Sequence, residues 1–205
     1  MAEDSLFARL GPPLQDLARW LSESGRPGAV IGGVAVGLLG RPRVTRDVDA
    51  LVFLDRAAEW AAFLEEGEQH GFRARRSDAL DFARRTRVLL LEHVASGVPV
   101  DVSLGSLPFE AELIRRARPV RVGRVAVPVA RPEDLVVLKA VAGRPRDQAD
   151  IESLLDAHPG LDLARVRRQV REFSEVLELP ELLENLERLV GGARRRTRPR
   201  RRSRG

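Results

Sequence analysis

Apolar residues recur at helical spacing near the start of the chain, where Leu14, Leu17, Ala18 and Leu21 follow Pro12-Pro13. This pattern predicts a helix from Pro13 to Ser24, closed by Gly25, Pro27 and Gly28. The run Ala29-Val-Ile-Gly-Gly reads as a short buried strand entering a glycine turn, and VAVGLLG supplies two helical turns ending at Gly40. A second strand is expected over TRDVDALVFL, residues 45–54, and a helix over 55–70 with Asp55 as N-cap and Gly71 as its stop. Two β-rich runs, 86–94 and 98–104, flank Ala95-Ser96-Gly97 and predict an antiparallel hairpin. A short helix, Pro108 to Ala117, and a strand-glycine-strand unit, PVRVGRVAVPV, come next. From Pro132 the period is helical throughout. The expected class is α+β, with a mixed sheet and flanking helices over residues 1–130 and a helical part over 131–192. Gly191-Gly192 is expected to separate the last helix from a basic tail, 193–205.

Charge changes this picture only at the end of the chain. The sequence has 205 residues, a formal charge of +5 and a pI near 11.0. Residues 194–205 hold eight arginines and no acid, so the preceding 193 residues are mildly acidic. The tail has no apolar residue after Ala193 and is expected to be disordered. Phosphate contact with RNA or DNA is its leading functional reading, a solubilising extension the alternative. Arg165, Arg168 and Arg171 share a predicted helix face, but Glu172 and Glu175 beside them favour a solvated mixed face.

The absence of cysteine excludes disulfides, thiolate metal sites and cysteine nucleophiles, and His70, His93 and His158 are too scattered to suggest a histidine metal cluster. The most apolar stretch, Gly28 to Gly40, is shorter than the about 20 residues a membrane span needs. An acidic N-terminal segment gives no secretory signal, so no membrane association and a cytoplasmic location are expected.

The informative chemistry lies in Asp47-Val48-Asp49. Alternation along a strand sends Asp47 and Asp49 to one face, their Cα atoms about 6.5–7 Å apart. Such a pair repels unless a cation lies between, and a hard divalent ion such as Mg²⁺ meets that need. Gly32-Gly33 lies upstream at a strand-to-helix junction, where backbone N–H groups form an anion site and glycine admits a phosphate closely. Asp101 sits within the apolar run VPVDVSL, where a carboxylate without a partner is costly. If its strand neighbours that of Asp47 and Asp49, three carboxylates converge, as two-metal phosphoryl chemistry requires.

The run IGGVAVGLLGRPRVTRDVDALV resembles bacterial nucleotidyltransferases of the AbiEii-like and related minimal types, within the superfamily that shares the DNA polymerase beta palm. The resemblance rests on Gly32, Gly33, Arg43, Thr45, Asp47, Asp49 and Asp101 in that order, and on Lys139 followed by Arg144-Pro-Arg-Asp147-Gln-Ala-Asp150, and it covers residues 28–156. It implies that Asp47 and Asp49 bind two Mg²⁺ ions and that Asp101 binds the catalytic ion and helps deprotonate the acceptor. The glycine turn, with Arg43, Thr45 and Arg46, would hold the NTP triphosphate. Lys139 is a candidate for neutralising phosphate charge, with an exposed structural lysine as the alternative. Asp147 and Asp150, three residues apart, suit either a network behind the site or pairing with Arg144 and Arg146.

The expected activity is Mg²⁺-dependent transfer of a nucleoside monophosphate from an NTP to an acceptor hydroxyl on RNA such as tRNA, on protein or on a small molecule. A toxin-type role with an antitoxin partner is consistent with the resemblance. The rival reading is a non-catalytic nucleic-acid-binding module that keeps the fold and binds through the arginine tail.

Overall fold

The computed structural model describes residues 2–197, and the chain divides into two compact units. The first comprises residues 1–38 and 42–131; the second comprises residues 39–41 and the chain from 132 onward.

The first unit is built on a seven-stranded mixed sheet in the order β3-β4-β5-β2-β1-β7-β6. Its strands are β1 (Gly28–Ile31), β2 (Val48–Phe53), β3 (Phe72–Ala74), β4 (Val88–His93), β5 (Val98–Gly105), β6 (Arg118–Val122) and β7 (Val125–Val129). The helices are α1 (Ala2–Glu23), α2 (Gly32–Leu39), α3 (Trp60–Gln69), α4 (Ala79–Thr86) and α5 (Pro108–Arg116). The strand-Gly-Gly-helix unit, the β4–β5 hairpin and the β6–β7 hairpin match the sequence pattern. β3 and α4 have no counterpart among the expected elements, because three residues and two turns are too short to carry a readable period.

One sheet face forms the core. Val48, Ala50 and Val52 of β2 alternate onto it with Val100, Val102 and Leu104 of β5, and all are buried. Each large side chain so buried contributes about 1.5–3 kcal/mol. Trp20 of α1 stacks between Phe63 of α3 and Phe72 of β3, with ring centroids 4.3 and 5.3 Å away, and fastens two helices to that face. Arg87 joins the ends of β2 and β5: its guanidinium donates to the carbonyls of Leu104 (2.7 Å) and Leu54 (3.0 Å).

Two helix boundaries differ from expectation. α1 begins at Ala2 and carries Pro12 and Pro13 inside it. An interior proline costs roughly 3 kcal/mol, but Leu10, buried with Leu14, Leu17 and Leu21, extends the apolar stripe a turn upstream and offsets that cost. Asp55 does not cap α3, which starts at Trp60 after a 3₁₀ turn at 57–59 and is tied by Trp60 Nε1 donating to Leu54 O at 3.1 Å.

The second unit holds α6 (Pro132–Ala142), α7 (Pro145–Ala157), α8 (Leu163–Leu177) and α9 (Glu181–Thr197). Residues 39–41 are anchored there, with His158 Nε2 at 2.6 Å from Leu39 O and the Arg41 backbone N–H donating to Ser153 Oγ at 2.6 Å. Gly191-Gly192 does not end the last helix. Leu182, Leu186, Val190 and Ala193 form one buried stripe, which carries α9 through both glycines to Thr197. The rest of the expected disordered tail, residues 198–205, lies outside the described residues. Arg165 is not on a solvated face: it is buried and paired with the fully buried Asp134 at 2.9 Å, because a carboxylate enclosed in α6 needs a cation. Among the described residues, no helix is long and apolar enough to cross a membrane.

Candidate active site

β2 and β5 are neighbours and parallel, and their register sets Asp49 directly opposite Asp101. Paired positions on adjacent strands share a sheet face. The two carboxylates therefore rise together from the face opposite the valine core, and both are partly exposed. Asp47 immediately precedes β2, and its charge acts on Asp101.

The strand-to-helix turn is shaped around these acids. Gly32 has φ +65°, a conformation that costs other L-residues dearly, and a Cβ there would lie 1.9 Å from Asp49 Oδ2. Only a glycine allows the turn and the carboxylate to approach this closely. At Gly33, a Cβ would lie 2.5 Å from Arg43 Nη2 and 2.9 Å from Thr45 Oγ1, so the loop 42–46 closes over the first turn of α2. Thr45 is buried, and its hydroxyl donates to Asp47 Oδ1 at 2.9 Å, setting the orientation of that carboxylate. The first unit thus brings Gly32, Gly33, Arg43, Thr45, Asp47, Asp49 and Asp101 into one neighbourhood, while Arg46 is exposed.

Arg75 is a site residue that the sequence did not reveal. It follows β3, its backbone N–H donates to Leu90 O at 2.9 Å, and its guanidinium pairs with Asp101 Oδ1. No motif contains it, and only the strand order places it beside the acids. Burial pushes the Asp101 carboxyl above its usual range; Arg75 opposes that shift and the Asp47 charge reinforces it.

Among the described residues, no three carboxylate or imidazole groups are gathered closely enough to enclose a metal ion. Asp101 is engaged by Arg75, and Asp47 by Thr45. The donor set nevertheless fits a hard divalent cation: the acids offer only carboxylate oxygens, and the Gly32 backbone leaves room for Asp49 at the strand-helix junction.

Lys139, Asp147 and Asp150 form a separate cluster in the second unit. Lys139, at the end of α6, is buried, with Nζ 2.8 Å from Asp147 Oδ1 and 2.9 Å from Asp150 Oδ2. Asp147 also accepts from the Arg144 backbone N–H at 3.1 Å and so caps α7. Lys139 is therefore not an exposed lysine, and the aspartates pair with it. These two contacts use two of the three donors of its ammonium.

The family to which the chain matches is one of nucleotidyltransferases, and the chain is an enzyme of that class. Residues 13–188 match the family described as "Nucleotidyl transferase of unknown function (DUF2204)", and the chain belongs to that family. The match supports the nucleotidyltransferase superfamily and not the AbiEii-like subtype within it. A search of curated proteins finds no match. Two solved structures share the fold. One is an antigenic nucleotidyltransferase-like protein from Paracoccidioides brasiliensis, 17% identical over 88% of this chain and 93% of that one, with a TM-score of 0.54. The other is the antibiotic-resistance factor ANT(2'')-Ia, 20% identical over 85% of this chain and 95% of that one, with a TM-score of 0.55.

Proposed function

We propose that this nucleotidyltransferase is Mg²⁺-dependent and transfers a nucleoside monophosphate from an NTP to an acceptor hydroxyl, with RNA as the acceptor. The observation that carries the reading is the register pairing of Asp49 with Asp101 beside the glycine turn that accommodates Asp49. Asp47, Asp49 and Asp101 are the residues that would hold Mg²⁺. When bound, the ion supplies positive charge that stabilises the phosphoryl transition state and the leaving group.

The chain's own residues account for the other roles. Backbone N–H groups in the first turn of α2 would receive the triphosphate, with the Arg43 guanidinium close to Gly33. Thr45 keeps Asp47 in one orientation, which reduces the reorganisation needed when charge develops. Asp101 takes the proton of the acceptor hydroxyl. The freed oxygen attacks the α-phosphorus, the bond from that phosphorus to the bridging oxygen breaks, and pyrophosphate leaves.

RNA is favoured by the eight arginines of residues 194–205, a polycation suited to phosphate contacts. The test is incubation of the protein with Mg²⁺, each α-labelled NTP and total cellular RNA. Label should enter RNA with the wild-type chain and not with Asp47→Ala. Label in protein or a small molecule alone would replace RNA as the acceptor, and no labelled product of any class would overturn the reading.

A further inference from the structure

One face of the sheet carries a single row of register partners. Asp49 on β2 faces Asp101 on β5, Asp101 faces Leu90 on β4, and the Leu90 carbonyl accepts from Arg75 after β3. The main chain of Arg75 is held by that bond, while its side chain crosses over Leu90 to reach Asp101. Both partners keep about a third of their side-chain surface in water, 34% for Arg75 and 32% for Asp101, so the pair is reached from solvent. A carboxylate oxygen that a metal would need is thus engaged by a cation of the protein itself.

We propose that Arg75 is the resident counter-cation of Asp101, and that a divalent ion competes with it for that carboxylate when it binds the three aspartates. The inference rests on the metal-dependent reading above. Arg75 holds one oxygen of the Asp101 carboxylate, and two cations near one carboxylate repel each other, so the ion pair opposes metal binding. Affinity for free metal is therefore held below what three carboxylates would otherwise give, which makes Arg75 a positioning residue that acts through Asp101.

The experiment is Mn²⁺ titration of the full-length chain without nucleotide, reading free Mn²⁺ by electron paramagnetic resonance. Arg75→Ala should bind Mn²⁺ more tightly than wild type by about three- to fivefold, the scale of a partly exposed ion pair. Arg75→Lys, which keeps the charge, should stay near wild type. In an Asp101→Asn background, removing Arg75 should change nothing, which isolates the pairwise effect. Should Arg75→Ala misfold by circular dichroism, Arg75→Gln takes its place with the same expectation. Equal or weaker Mn²⁺ affinity in the folded neutral variant overturns the proposal while leaving the metal-dependent function standing. A wild-type protein that binds no Mn²⁺ with or without NTP overturns both.

Discussion

Gly32 and Asp49 are packed so closely that a single added carbon on the glycine would lie 1.9 Å from the aspartate's Oδ2. The positive φ of Gly32 adds a second barrier to any side chain there. Gly32→Ala should therefore lose at least about 1–2 kcal/mol from backbone strain alone, and more from displacing Asp49. Urea denaturation reads the stability, and NTP turnover should fall by more than the unfolded fraction explains. A variant of wild-type stability and turnover would show that the turn is not held in this shape.

Asp101 makes a prediction whose sign depends on pH. Folding raises its proton affinity through burial and the Asp47 charge, despite the opposing pair with Arg75. Its contribution to stability is thus fully present below the unfolded-state pKa, about 3.9, and is lost as pH rises through the higher folded value. Asp101→Asn, which resembles the protonated acid, should raise the melting temperature at pH 7, and this advantage should vanish in acid while transfer activity is abolished at every pH. A lower melting temperature at pH 7 would mean that the Arg75 pair outweighs burial.

Lys139 neutralises two carboxylates, Asp147 and Asp150, that are almost completely enclosed. Removing one partner of a buried ionic cluster costs about 3–5 kcal/mol, so Lys139→Ala should be severely destabilised in urea. Lys139→Met combined with Asp147→Asn and Asp150→Asn should recover much of the loss, since no charge remains buried. If the triple variant also binds NTP like the wild type, the lysine is structural; a specific loss of NTP affinity in that folded variant would assign it to the phosphates.

The tail gives a separable prediction. Deleting residues 198–205 should leave Mn²⁺ and NTP binding unchanged and lower RNA affinity, with the slope of log affinity against log salt reduced by roughly 0.7 for each phosphate the arginines no longer neutralise. Filter binding at several salt concentrations measures this. An unchanged slope would remove the tail from RNA binding.

Some of the site was legible before folding was considered because local geometry determines it. The glycine pair, Thr45, Asp47 and Asp49 lie within eighteen residues of chain, where strand alternation and a turn decide their relations. Lys139 was visible as the one lysine among the basic residues, but not its burial, since α6 ends the same way in either environment. Arg165 looked like a surface residue because its partner Asp134 is thirty-one positions away. The two prolines of α1 read locally as a start signal, and the packing of Leu10 decided otherwise.

By itself the sequence determined the α+β alternation, the hairpins, the glycine turn and the pair of aspartates, all set by periodicity and φ preferences over a few residues. Strand order was decided only in three dimensions. Placing β5 beside β2 in parallel, and β4 and β3 beyond them, sets Asp101 opposite Asp49 and brings Arg75 onto Asp101. The physical reason is that pairing between distant strands is chosen by burial of the whole valine-rich face, a collective quantity that no short window of residues contains.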